Sequence, residues 1–389
     1  MTYTSSLPYP SPRSLPCHSA AQGARRAWRA SVMKGVTAWR LLLLSLSAAR
    51  TTNVISAGVA PAASPGAEAQ SRLTTHAVKN SWQAALEGLL AQPNNTQVVV
   101  VGASDMSYAA GFAHWFAMTR REGTLPVLVA LDSATCTQAG AGYGPHVLCF
   151  PPDWDELSMP LKVTLAKLVA PAVVLRLNKT VLFSELDVFW THQLSPIGDM
   201  PPVDIAMSPH VDFQAPQLTC LCELNLGFYY VRATKASRAL FVDMLNFVEE
   251  HFGQNWKHTD DQKLFDHAIR RNASRPADEQ APDWPERFMD LKLRNASNVS
   301  WVRLRGDLYT HNIGPKLVII NQTRAVHLSW GLDKARDRLD CAWHLGLIAD
   351  PLYTPRKRTW WEKQVSRLFP EKKGPCHSGV VLQQGQLGR

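Results

Sequence analysis

The sequence predicts an α/β protein built on a mainly parallel, twisted sheet flanked by helices. Three observations carry this. Residues 98–101 are four consecutive valines, and residues 126–132 read PVLVALD. Continuous apolar runs of this length fit strands buried on both faces, as parallel strands are. Such runs alternate with stretches whose apolar residues recur at helical spacing. A glycine or an acid directly follows several runs, at the strand ends where ligands of open α/β sheets bind.

In chain order, residues 76–92 have helical spacing and lead into the strand 98–101. Gly102, Ala103 and Ser104 follow it, and residues 108–121 read as a helix. The strand 126–132 ends at Asp132. Residues 146–150 read as a third strand, 156–170 as a helix and 181–184 as a fourth strand. Residues 204–207 and 226–231 read as further strands, 235–251 and 260–271 as helices. Residues 272–290 are polar and contain proline, as loops do. Strands at 317–320 and 325–328 close the pattern. Gly102 lacks a Cβ and would let a ligand approach the backbone, although an ordinary turn needs a glycine equally well.

The chain has 389 residues and a formal charge of +9, unevenly placed. Residues 1–50 hold seven Lys/Arg and no acid, and residues 356–389 hold eight against two. The stretch between holds 26 bases and 30 acids, so the folded part is mildly acidic. This argues against a nucleic-acid binder, which needs a basic stripe on its folded surface. Arg25, Arg26, Arg29, Lys34 and Arg40 precede the apolar run 41–49, LLLLSLSAA. Nine residues are too few to span a bilayer, which takes roughly 20. They fit a signal peptide, with Met33 as an alternative start. An organellar transit peptide and a short membrane anchor are the other readings.

Six of the 13 asparagines begin N-x-S/T: Asn94, Asn178, Asn272, Asn295, Asn298 and Asn321. Such sites are glycosylated only in the secretory pathway. Asn178 is read as lying close to the site and so open to being unused. The seven cysteines show no zinc-ligand spacing. One or two disulfides are expected, and Cys136–Cys149 is the easiest local pair. The organisation expected is a targeting segment over 1–50, a stem and leading helix over 51–90 (flexible over 51–72), a main domain over 91–355, and a basic polar tail over 356–389.

Residues 181–190 read VLFSELDVFW, placing Glu185 and Asp187 inside an apolar run. Burying a charge without a partner is costly, and a metal ion would justify both acids. On an extended chain a spacing of two points both carboxylates the same way. Hard oxygen ligands suit Mg²⁺ or Mn²⁺ completed by diphosphate oxygens. A turn bearing two solvated acids is the plainer reading. Asp153-Trp154-Asp155 is the rival site, but it precedes a helical stretch, where acids serve as caps.

The block LFSELDVFW, with LKVTLAKL about 20 residues before it, resembles the plant and algal nucleotide-diphospho-sugar transferases of glycosyltransferase family 77. That family's upstream Lys, acidic block, N-x-G-F and D-Q recur in order as Lys162, Glu185-Leu186-Asp187, Asn225-Leu226-Gly227-Phe228 and Asp261-Gln262. The resemblance runs from about Asn95 to about Gly331. Glu185 stands where many relatives have Asp, so the carboxylate reaches one methylene further.

The resemblance implies a GT-A-like fold, with a Rossmann-like nucleotide-sugar half and an acceptor half. It implies a Mn²⁺-type metal, a UDP-sugar donor, a glycan or glycoprotein acceptor, and transfer of a hexose or pentose with retention. Metal ligands would be Asp187, Glu185 and His327. Gly102, Ala103, Ser104, Asp132, Lys162 and Glu185 would line the donor side, and Asp187, Asp261, Gln262 and Asn225 the reacting centre. His327 is equally readable as a core histidine, Lys162 as a solvated lysine, Asp261 as a helix cap and Asn225-Gly227 as a bulge. A Golgi lumen is the expected compartment, with membrane association through the N-terminal segment. Two rival functions are a non-catalytic carbohydrate-binding protein on the same fold and a metal-dependent phosphoesterase. The second would need a richer acid and histidine cluster for two metals.

Overall fold

Seven strands form the main sheet, in the order β3-β2-β1-β4-β7-β6-β8. They are β1 (Val98–Ser104), β2 (Thr124–Ala130), β3 (Val147–Cys149), β4 (Thr180–Ser184), β6 (Ile205–Pro209), β7 (Leu224–Val231) and β8 (Trp301–Arg303). All neighbours pair in parallel except β7, which runs against both β4 and β6. This computed structural model describes residues 65–91, 95–209, 224–252, 255–258, 260–272, 291–294, 299–306, 308–312, 317–320, 322–328, 335–348, 353, 355 and 380–383. All lie in one of two compact units, Ser64–Pro216 with Cys222–Arg389. The apolar run at 41–49, the Asp-free leader around it and five of the six sequons' side chains lie outside the described residues.

The α/β class and the mainly parallel, helix-flanked sheet are as the sequence predicts. The valine run is buried on both faces because alternate residues enter different cores. Val99 and Val101 pack with the helices α1 (Pro65–Leu90), α4 (Met159–Arg176), α5 (Lys235–Glu250) and α6 (Asp260–Asn272). Val98 and Val100 pack with α2 (Phe112–Thr119) and with Leu182, Trp190 and Phe228. A second sheet, β5-β11-β9, joins β5 (Val188–Trp190), β9 (Tyr309–Asn312) and β11 (Ala325–Leu328).

Several elements differ from the sequence reading. The leading helix α1 begins at Pro65, inside the stretch read as flexible stem; proline suits a first helical turn. It docks through Val78, Trp82, Leu86 and Leu89, all buried. The helix read over 108–121 is a 3-10 segment, Met106–Gly111, followed by α2. They meet at Gly111, where a Cβ would lie 2.8 Å from Leu339 of α7 (Ala335–His344). Helix α3 (Ser133–Tyr143) has no counterpart among the predicted helices, because SATCTQAGAGY has little apolar periodicity. Asp132 caps it and the Cys136–Cys149 disulfide, the local pair expected, ties it to β3. Cys341 is disulfide-bonded as well.

Helix α4 continues to Arg176, past Pro171. A proline there removes the N–H that would bond the carbonyl four residues back. That carbonyl, on Lys167, instead accepts from the Tyr229 hydroxyl at 3.0 Å. The tail read as polar contains β12 (Val380–Gln383), paired in parallel with β10 (Leu317–Ile320). Asn178 lies beyond the C-terminal end of α4 and just before β4, exposed, with φ 59°. The acidic motif follows the other end of β4. Asn178 therefore sits at the opposite end of β4 from the acids, not close to them. Among the described residues, no helix is long and apolar enough to cross a membrane.

Candidate active site

The acids lie in a turn, not on an extended strand. β4 ends at Ser184, the Val188 N–H donates to the Glu185 carbonyl at 3.1 Å, and β5 begins at Val188. The chain is leaving the seven-stranded sheet for the three-stranded one, and Leu186 turns into the core between them. The turn brings both carboxylates to one place by a route different from strand alternation.

The sheets then deliver the other groups. β11 runs antiparallel to β5 with His327 opposite Val188, and the Leu328 N–H donates to the Asp187 carbonyl at 3.0 Å. His327 Nε2 thereby lies 3.3 Å from Asp187 Oδ1 and 3.5 Å from Glu185 Oε2. On the other side β7 contributes backbone. The Glu185 N–H donates to the Gly227 carbonyl at 2.8 Å, and buried Asn225 accepts the Gly227 N–H at 2.6 Å. Opposite this stretch the β6–β7 register shifts between Met207 and Ser208, so the bulge and the close approach coexist. A Cβ at 227 would overlap His327 Cε1 and lie 2.7 Å from Glu185 Oε2. Only glycine leaves room for the pair.

Three groups that sequence reasoning missed complete the cluster. Lys167, on α4, sits 2.6 Å from Glu185 Oε1 and 2.6 Å from Asp261 Oδ2. Arg338, on α7, pairs with Asp187 Oδ2 and donates to the Tyr108 hydroxyl at 2.7 Å. Tyr108 in turn donates to Asp187 Oδ2 at 3.2 Å. Its 3-10 segment is capped by Asp105, which accepts from the Ser107 N–H at 2.9 Å. Lys167 carried a signal: it is a charge inside the apolar stretch TLAKLVAP, as Glu185 and Asp187 are in theirs. Tyr108 and Arg338 carried none, being 79 and 151 residues from Asp187.

Electrostatics fixes the charge states. Burial alone would raise the Asp187 pKa, but His327, Arg338 and Tyr108 hold it well below the usual carboxylate range. Burial would strip the proton from Lys167, but Asp261 and Glu185 push its pKa above that of a free lysine. Burial, then Asp187, push the Tyr108 phenol far up, so it stays a neutral donor. Asp187 thus stays ionised beside Arg338, and Lys167 stays charged between Glu185 and Asp261.

The remaining residues expected at the site fall elsewhere or serve other contacts. The space a Gly102 Cβ would take belongs to Trp115, at 2.6 Å, so packing accounts for that glycine rather than ligand approach. Ser104 is buried and its hydroxyl donates to the Asp105 carbonyl at 2.9 Å; Ala103 is half-buried beside it. Asp132 caps α3, accepting from the Thr135 N–H at 2.7 Å. Lys162 is buried against Asp155, 3.1 Å from its carbonyl, and is not the lysine that meets the acids. Five residues along a helix are about 140° of rotation, so Lys162 and Lys167 point to different sides. Asp261 reaches the cluster, and its other oxygen accepts from the Gln262 N–H at 2.8 Å. Asp153 lies in a 3-10 segment, Pro152–Trp154, before α4.

The donor set fits a divalent cation. One atom each from Glu185, Asp187 and His327 lie within 4.8 Å of one another. Adjacent ligands of an octahedral ion with bonds of about 2.1 Å stand about 3 Å apart, near the observed 3.3 and 3.5 Å. Two carboxylate oxygens suit Mg²⁺ or Mn²⁺, and the imidazole nitrogen favours a transition ion such as Mn²⁺ over Mg²⁺.

Residues 125–294 match the model of the nucleotide-diphospho-sugar transferase family, a segment of under half the chain. It contains Glu185, Asp187, Asn225, Asp261 and Gln262 and ends before His327. No match to a curated protein was found. Among solved structures, glycosyltransferase GlyE of Streptococcus pneumoniae TIGR4 is 12% identical, covering 45% of this chain and 44% of its own, with a TM-score of 0.29. This chain thus spans less than half of GlyE. The galactosyltransferase LgtC, solved with donor and acceptor sugar analogues, is 14% identical over 66% of this chain and 82% of its own, with a TM-score of 0.29. Mannosyl-3-phosphoglycerate synthase from Rubrobacter xylanophilus is 14% identical over 54% and 83%, with a TM-score of 0.24. At these identities and scores the likeness bears on no residue of the site.

Proposed function

We propose that this protein is a metal-dependent glycosyltransferase, moving a hexose or pentose from a UDP-sugar to a glycan or glycoprotein acceptor with retention. The observation that carries this reading is the convergence of Glu185, Asp187 and His327 beyond the carboxyl end of β4. The family match over residues 125–294 supports the nucleotide-sugar chemistry. The motif order from Lys162 to Gln262 supports the narrower likeness to family 77, with Lys167 now the lysine facing the acids.

Glu185, Asp187 and His327 would hold the divalent ion. When bound, it would offset the charge growing on the leaving diphosphate. Arg338 and Tyr108 keep Asp187 ionised and oriented through its second oxygen. Lys167 and Asp261 form the wall beside Glu185, where the donor sugar would lie next to Gln262 and Asn225. Burial of Asp187 and Lys167 excludes water, so their charges act at low dielectric.

The deciding experiment screens UDP-sugars for hydrolysis and transfer with Mn²⁺, Mg²⁺ and chelator. Metal-dependent turnover of one sugar is expected. Nucleotide binding without turnover of any sugar would leave the non-catalytic carbohydrate-binding alternative standing. The six sequons and the apolar run behind basic residues support a lumenal, Golgi placement. Glycosidase treatment of the protein from its own host should increase its gel mobility; an unchanged band from a cytosolic fraction would end that placement.

A further inference from the structure

Glu185 uses its two oxygens for different neighbours. Oε1 meets Lys167 at 2.6 Å, while Oε2 faces His327 at 3.5 Å in the space that Gly227 leaves. Neither end of this contact can shift cheaply. The Glu185 N–H is tied to the Gly227 carbonyl at 2.8 Å. Lys167 is buried, held at 2.6 Å by Asp261 and set over the Phe183 ring with its ammonium 5.8 Å from the centroid. An aspartate at 185 would draw the carboxylate back by roughly 1.5 Å, one carbon–carbon bond. A contact of 2.6 Å would then open beyond hydrogen-bonding range.

We propose that Lys167 is the positioning residue for Glu185, and that the length of the glutamate is matched to this lysine so that Oε2 faces His327. The inference rests on the proposed metal role of Glu185, Asp187 and His327. Lys167 acts through the carboxylate and has no ligand of its own to offer the metal. Partners of metal ligands, when removed, typically weaken metal binding 10- to 100-fold.

The sign of the effect separates positioning from plain charge. Lys167 is a cation beside a cation site. If it acted only by its field, Lys167→Met would tighten Mn²⁺ binding; a positioning role weakens it. The test is Mn²⁺ affinity without nucleotide, read from the electron paramagnetic resonance of free Mn²⁺, on the purified full chain. We expect Lys167→Met and Glu185→Asp each to weaken binding at least about 10-fold. The double variant Glu185→Asp/Lys167→Arg should recover most of the loss, because arginine reaches further and its fork can serve Glu/Asp partners on both sides. Glu185→Asp and the double variant keep every charge, so they decide the matter even if Lys167→Met fails to fold. Parent-like binding by Glu185→Asp, tighter binding by Lys167→Met, or no recovery in the double variant overturns the inference. A parent that binds no Mn²⁺ overturns the metal reading itself, and the pairing with it.

Discussion

Asp187 is the residue on which most of the site converges, since His327, Arg338 and Tyr108 all meet its carboxylate. Asp187→Asn keeps its shape and removes its charge. Turnover should fall at least about 100-fold, equivalent to roughly 2.7 kcal/mol. Asp153→Asn, in the 3-10 segment before α4, should leave turnover nearly intact. Loss of turnover in Asp153→Asn with normal turnover in Asp187→Asn, in one Mn²⁺-titrated assay, would overturn the assignment of the site to Asp187. The two glycines give a second contrast. Gly227→Ala pushes a methyl into Glu185 and His327, so Mn²⁺ binding should weaken at least about 10-fold. Gly102→Ala pushes one into Trp115, so it should cost about 1–3 kcal/mol of stability and leave Mn²⁺ affinity unchanged. Denaturant melts and Mn²⁺ titrations of both variants check this. The pair Glu185/Asp187 was legible because charges stood in an apolar run. Lys167 carries the same mark, although the family pattern aligns its upstream lysine with Lys162.

Helix α6 brings Asp261 to Lys167 at its first turn and buries His267 further along. Burial, then the Arg271 guanidinium, lower the His267 pKa to about 4 from its ordinary 6.5. The folded protein therefore binds fewer protons than the unfolded chain between about pH 4 and pH 6.5. His267 thus makes stability fall as pH drops through that window, and its penalty is complete below the lower limit. Urea midpoints measured from pH 7 to pH 4 should show this slope, and His267→Gln should flatten it. An unchanged slope would show that other groups set the acid limit. Helices and strands with strong periodicity were legible within a few residues. Helix α3 was not, because a cap and a disulfide hold it more than an apolar face does. The choice between a turn and an extended strand at the acids stayed open in the sequence, because it follows from β5 pairing with β11, 135 or more residues later in the chain.

At the scale of the whole molecule, the site is assembled from both sheets and from helices far apart in sequence. A ligand that bridges these parts should stabilise all of them together. UDP should raise the melting temperature only with Mn²⁺ or a similar ion present, by about 2.7 kcal/mol of stability at 100 times Kd. Thermal melts with UDP, Mn²⁺, both, and UDP with chelator test this. Equal stabilisation in chelator would count against a metal-bridged diphosphate.

The sequence by itself determined the α/β class, the valine-rich parallel strands and the acidic motif, because each follows from local periodicity or from charge set among apolar neighbours. It also placed Cys136 and Cys149 close enough to pair, which they do. Only the tertiary structure decided which cations meet the acids. Lys167 and Lys162 share one helix, and the packing of α4 against α6 turns the first to Glu185 and Asp261 while the second stays with Asp155. Arg338 reaches Asp187 because Leu339 packs on Gly111, bringing α7 against the 3-10 segment that carries Tyr108. Contacts made across such sequence distances depend on how elements dock, and no local pattern records that.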